Sequence, residues 1–366
     1  MEKDFNLIGS DGWAYAEYGR LGIGPVIMGG HWLYNYVNHL VYRILPGEEH
    51  LYLNMSLLNI CLSLLLPVAL IPISRIFKMD QPEYDKYFKY LILFFLFWPT
   101  AIILSTQNLK DTLLALMFCS YLSLCYLSLH AKTLTRSIIY ILLIMGLLYL
   151  IFVLRSYLAV FMVAGAMGLS VLVKKKAFYL PFFLGGIVAL FFSPIGEYVM
   201  DFVSYENNWL INPDALLHKN IERAAEGLPP ATINMGFRNI FIDFIRLPLM
   251  PFPGINTTNI YEYLLMLKTT LVCIFSWFFI WKFIQWDSKY KWFLGLNAIL
   301  PWGFYSIWRG LSGARQTFAS MDILFLLMLS YFLATNQNRG LLTRSYIFGI
   351  AGLIAMFVYT SRGWLV

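Results

Sequence analysis

The sequence predicts an all-α fold, a polytopic transmembrane helical bundle of about ten spans with an interfacial N-terminal helix and one long extracytoplasmic loop. Three observations predict it. Hydrophobic residues make up 59% of the 366 residues and charged residues only 13%, with a mean hydropathy of +0.65, a balance that does not suit a water-soluble surface. Apolar runs of roughly 20 residues, the length needed to cross the hydrocarbon core, recur along the chain. Basic residues collect between those runs, after every second one, as an alternating topology with basic cytoplasmic loops requires. The formal charge of +7 is therefore read as topology, with no nucleic acid implied.

Met1 to Arg20 is polar and lacks a basic region followed by an apolar core, so no cleavable signal peptide is expected there. Gly22 to Arg43 mixes His31, Trp32, Tyr34, Tyr36 and His39 with aliphatics, which predicts an amphipathic helix at the membrane interface. Spans are predicted at 51–75, 87–106, 111–130, 137–154, 156–173, 178–196, 259–284, 292–308, 317–335 and 343–361. The chain thus divides into an N-terminal segment (1–50), a first bundle of about six spans (51–196), a loop region (197–258) and a second bundle of about four spans (259–366). Pro229, Pro230, Pro248, Pro251 and Pro253 in the loop region predict loops and short helices there.

The positive-inside rule orients the bundle. Arg75, Lys78, Lys86 and Lys89, then Lys132 and Arg136, Lys174 to Lys176, Lys282, Lys289 and Lys291, and finally Arg339 and Arg344 occupy the cytoplasmic loops. The opposite face receives the N-terminal segment, the Gln107–Asp111 corner, the Arg155 corner, the loop region and Trp308–Arg315. All four cysteines, Cys61, Cys119, Cys125 and Cys273, lie inside apolar runs, so neither a disulfide framework nor a zinc site is indicated.

Ionisable groups near membrane depth are costly and mark functional candidates. Asp11, Lys110, Asp111, Arg155, Arg309 and Arg315 come from separated parts of the chain and meet the same predicted outer surface. Guanidinium and ammonium groups bind phosphate oxygens, and a carboxylate can take a proton from an acceptor hydroxyl; together they suit a lipid-linked phosphate substrate. The plainer readings stand beside this one. An Arg or Lys at a helix end is often a snorkelling anchor, and Lys110 with Asp111 suits the start of a helix. Asp322 is expected to pair with an arginine inside the bundle. His31 and His39 are expected to make interfacial hydrogen bonds, since no third metal ligand accompanies them at a suitable spacing.

The order of these motifs resembles the glycosyltransferase C superfamily. Ser10-Asp11-Gly-Trp-Ala-Tyr15 is similar to its first extracytoplasmic loop, and Leu51 to Phe77, with Asn54 and Asn59, to the span that follows. Pro99 to Asp111 resembles a proline-initiated corner before an acidic residue. Leu154-Arg155-Ser-Tyr157 resembles an arginine-bearing corner, and Gly313-Ala-Arg315-Gln-Thr-Phe the start of a late span. Departing from the pattern, no apolar span precedes Asp11 and only one acidic residue stands in that motif. The same features resemble Wzy-like polysaccharide polymerases.

The resemblance implies a multi-pass protein of a bacterial inner membrane. It would transfer sugar from a polyprenyl-phosphate-linked or diphosphate-linked donor to a glycan or lipid-linked acceptor, beside membrane lipid and glycan-assembly proteins. Asp11 is then the base or the group that orients the acceptor. Lys110, Arg155, Arg309 and Arg315 hold the lipid phosphate, and Asp111 positions Lys110 or a divalent cation. Rival expectations are a flippase or transporter of lipid-linked sugars, which also needs a cationic cavity, and a purely structural membrane subunit.

Overall fold

A computed structural model describes residues 32–45, 51–106, 109–172, 260–309, 318–336 and 339–361, with short pieces between 16 and 21, between 217 and 225, and at 232–233. The described chain is helical apart from two bridging strands of two residues each. The first half holds α1 (Trp32–Ile44), α2 (Leu51–Ala69), α3 (Ile71–Ser74), α4 (Gln81–Phe97), α5 (Pro99–Thr106), α6 (Asp111–Leu129), α7 (Leu134–Leu154) and α8 (Ser156–Leu172). The second half holds α9 (Ile260–Gln285), α10 (Lys291–Ile307), a π-helical turn at Phe318–Asp322, α11 (Ile323–Ala334) and α12 (Arg339–Ser361). Strand β1 (Thr232–Ile233) pairs antiparallel with β2 (Trp308–Arg309).

A helix overlies each predicted span except 178–196, which falls outside the described residues together with most of the loop region. Among the described residues, Ser56–Phe77, Asp111–Leu129, Leu134–Leu154 and Met266–Gln285 are long and apolar enough to cross a membrane. The bent pair α4–α5 makes a fifth if it counts as one span. Gly22 to His31, the first half of the predicted interfacial helix, lies outside the described residues, and α1 supplies the rest.

Local chemistry explains where several helices start and stop. The Asp80 side chain accepts from the Glu83 N–H at 2.9 Å and Pro82 follows in the first turn, so α4 begins with a carboxylate cap and a ring already fixed at a helical φ. Pro99 then forbids a helical conformation at the preceding residue. Trp98 is accordingly extended, with φ −68° and ψ 123°, and the chain restarts as α5 after a bend of 53°. Thr133 caps α7 through the Arg136 N–H. Helix α7 ends at Arg155, whose N–H still reaches Ile151 O at 2.7 Å while α8 begins at the next residue.

Helix α6 forms the middle of the packing. It touches α2, α3, α7 and the π turn and buries Leu114, Ala115, Phe118, Cys119, Tyr121 and Leu122, as an all-round apolar helix must. Polar side chains tie it laterally: Ser123 Oγ donates to Ala69 O at 2.5 Å, and the Tyr121 hydroxyl donates to Met162 O. Helices α2, α7, α9 and α12 instead show large apolar side chains outward, including Leu64, Leu142, Ile280 and Phe348. Two close approaches depend on glycine. A Cβ on Gly349 of α12 would lie 2.5 Å from Ile274 Cα of α9, and one on Gly165 of α8 would lie 2.3 Å from the Asn297 side chain of α10. Small residues let helix backbones approach where lipid provides no hydrophobic drive. The four cysteines are free; Cys61 is exposed and the others are buried.

Candidate functional site

Helix α6 starts and α7 stops at the same end of the bundle, and there Lys110, Asp111 and Arg155 come together. Arg155 Nη2 lies 2.6 Å from Asp111 Oδ1, and their side chains are only 7% and 1% exposed. At ~1.5 Å per residue, Asp111 stands about 27 Å along α6 from its far end. Lys110 precedes the helix, is buried, and its carbonyl accepts from the Leu114 N–H at 3.0 Å. Asp111 thus spends its charge on Arg155 across two helices. Arg155 is thus a carboxylate-paired cation.

Hydrogen bonds anchor this corner from both sides. Asn59 of α2 donates through Nδ2 to Leu109 O at 2.8 Å and accepts at Oδ1 from the Tyr34 hydroxyl of α1 at 3.3 Å. Thr112 Oγ1 donates to Leu104 O at 3.1 Å, fastening the start of α6 to α5. A polar path therefore joins α1, α2 and the turn before α6, next in the chain to the Asp111–Arg155 pair. Each group on it is buried, where an unmade hydrogen bond would be costly.

A second ion pair lies deeper. Lys268 Nζ of α9 is 3.5 Å from Asp322 Oδ1, with side chains 1% and 7% exposed. Asp322 Oδ2 accepts from Trp98 Nε1 at 2.9 Å. The extended residue forced by Pro99 is thus the one whose indole reaches the carboxylate, and the carboxylate sits on a π turn, an irregularity frequent at functional positions. The partner of Asp322 is a lysine, contrary to the arginine expected from the sequence. Thr100 Oγ1, two residues from Trp98, and Ser320 Oγ, two residues from Asp322, are buried and lack a hydrogen-bond partner among the described residues.

The remaining predicted residues are placed less closely. Asp11 and Arg315 lie outside the described residues. Arg309 is described through its backbone in β2, opposite Thr232. His31 also lies outside, whereas a ring nitrogen of His39 is 2.9 Å from Gly19 O, an ordinary hydrogen bond. Among the described residues no group of three or more His, Cys, Asp or Glu is arranged to hold a metal ion.

No family model, curated protein or solved structure matches this chain. The site is therefore argued from its own geometry. Lys268 was missed in the sequence although the signal was there: a lone lysine within an apolar run needs a partner at depth. Trp98 was legible only as the residue before a proline.

Proposed function

We propose that this chain is a multi-pass membrane glycosyltransferase of about ten spans, acting at the face opposite its basic loops on a polyprenyl-phosphate-linked or diphosphate-linked sugar. That face is extracytoplasmic in a bacterial inner membrane, and the N-terminal helix α1 lies along the interface there. The observation that supports the reading is the collection of buried charge in one half of the bundle, Lys110, Asp111 and Arg155 at the end and Lys268 with Asp322 beneath. Buried ion pairs contribute little to stability compared with apolar packing, and charges placed at membrane depth are functional candidates.

In this reading Lys110 and Arg155 stabilise the departing phosphate by charge-assisted hydrogen bonds, with Arg309 and Arg315 adding cations from the second half. Asp111 holds the Arg155 guanidinium in a fixed orientation. Asp11 accepts the proton of the acceptor hydroxyl as that oxygen forms the new glycosidic bond and the bond to phosphate breaks. Positioning supplies the rest of the rate.

One observation favours a second reading. Broken helices at a buried ionic site also occur in transporters, and the α4–α5 break carries Trp98 onto Asp322. One experiment separates the two. The purified full chain in proteoliposomes is given polyprenyl-phosphate-linked and diphosphate-linked radiolabelled sugars, and both bond formation and transbilayer movement are measured. Labelled glycosidic product that drops about a hundredfold in Asp11→Asn and Arg155→Ala supports the transferase. Movement of the donor without product supports the transporter, and neither in any preparation overturns both.

A further inference from the structure

We infer that the opposite end of the bundle carries a separate binding cleft for a phosphoryl group, the headgroup phosphate of an anionic lipid being the source the surroundings favour. The cleft has a volume of about 640 Å³ and is walled by Lys78, Lys282 and Lys289, with Asp287 as the one carboxylate in its lining. It lies about 21 Å along α9 from Lys268 at ~1.5 Å per residue, so it is independent of the ion-pair site and of the activity proposed for it.

The three lysines come from two segments distant in sequence, and the fold brings them round one hollow. Lys78 follows the 3-10 turn at Arg75–Phe77 and is the one non-glycine residue with positive φ among the described residues, at 49°. An L-residue is held there only when its surroundings fix it. Lys282 lies in the last turn of α9, and Lys289 lies in the turn before α10. The floor is aromatic. Phe77 stacks on Tyr331 with centroids 4.2 Å apart and an interplanar angle of 11°, and Trp286 meets both rings at 5.7 and 6.1 Å.

This composition selects the ligand class. Three ammonium groups against one carboxylate favour an anion, and lysine binds phosphate as a compact charge with freely turning donors. The Ser288 and Thr335 hydroxyls in the lining can donate to phosphate oxygens. Lipid is the favoured source because Trp281 and Ile284 near the end of α9 and Trp292 at the start of α10 are exposed and close in sequence to the cleft lysines, and aromatic residues with lysines mark the headgroup level. A lysine that merely snorkels would face outward alone; these three share one concavity.

The test uses the full chain in detergent, titrated with phosphatidylglycerol or phosphatidylcholine and read by native mass spectrometry, with inorganic phosphate as a separate probe and competitor. The triple variant Lys78→Gln, Lys282→Gln, Lys289→Gln is compared with Lys86→Gln, Lys89→Gln, Lys132→Gln, which removes exposed lysines from the same end outside the cleft. Phosphatidylglycerol is expected to bind about tenfold more tightly than phosphatidylcholine, a preference lost in the first triple and retained in the second. Asp287→Asn, which removes the opposing carboxylate, is expected to tighten binding. Competition by inorganic phosphate at the wild-type cleft supports recognition of the phosphoryl group itself, and the tighter of the two probes identifies its source. Equal losses in both lysine triples, or unchanged binding in the first triple and in Asp287→Asn, would overturn the inference.

Discussion

Asp111 and Arg155 meet at 2.6 Å between the first residue of α6 and the residue that ends α7. Their ion pair joins two helix termini at the same end of the bundle, and neither side chain has meaningful solvent access. Breaking it strands a buried charge, whereas removing both partners does not. Such loss is typically about 3–5 kcal/mol for one partner of a buried pair. Asp111→Asn and Arg155→Gln should each destabilise the protein by that order in detergent unfolding, and the double variant should recover much of it. A double-mutant cycle with coupling near zero would exclude the pair. Sugar transfer, in contrast, should stay low in Arg155→Gln and in the double variant, because restored packing does not restore the guanidinium.

The deeper pair yields a graded prediction. Trp98→Phe keeps the ring but removes the 2.9 Å hydrogen bond to Asp322, a loss of about 1.5–3 kcal/mol for a bond to a charged acceptor. Lys268→Met removes the counter-charge 3.5 Å away and leaves the carboxylate buried, so it should cost more. Comparing the two unfolding free energies checks the order; Trp98→Phe as damaging as Lys268→Met would mean that the indole, not the ammonium, holds Asp322.

Much of this was legible in the sequence, for specific reasons. Apolar runs fixed the helices because a chain in lipid must satisfy its own backbone, and Pro99 located the break in α4–α5. Lys110, Asp111 and Arg155 stood out as charges at the ends of apolar runs. Their mutual pairing did not, since α6 and α7 are antiparallel neighbours whose register depends on side-chain packing. The Lys268–Asp322 pair joins residues far apart in the chain, and the π turn that turns Asp322 inward has no composition signal. The cleft lysines were read only as topology, because concavity is a property of segments distant in the chain taken together.

Glycine at 349 is required by contact, and Gly352 in the same helix is not. An alanine Cβ at 349 would sit 2.5 Å from Ile274 Cα, while nothing lies within 4 Å of one at 352. Gly349→Ala should push α12 from α9 and cost about 1–3 kcal/mol, the usual range for overpacking. Gly352→Ala should be neutral or gain up to ~1 kcal/mol through helix propensity. Thermal unfolding of both variants measures the contrast, and equal effects would remove the close-approach argument.

The loop joining α9 to α10 carries a pH-dependent contact. His130 Nδ1 lies 2.9 Å from Tyr126 O, so the ring proton belongs there and Nε2 is left to accept from the Tyr290 hydroxyl at 3.1 Å. Burial pushes the Tyr290 hydroxyl up to about 12, with the nearby Tyr126 hydroxyl adding to it. An unfolded tyrosine ionises near ~10, so folding favours the neutral phenol. The resulting stabilisation is complete below about pH 10 and fades as pH rises toward about 12. Tyr290→Phe lacks the hydroxyl and should be less stable than wild type at pH 8. The gap between the two should then narrow across the alkaline range, while titration of lysines affects both equally. Melting temperatures of the pair measured from pH 8 to 12 provide the check, and a constant difference would show that burial does not raise the Tyr290 hydroxyl.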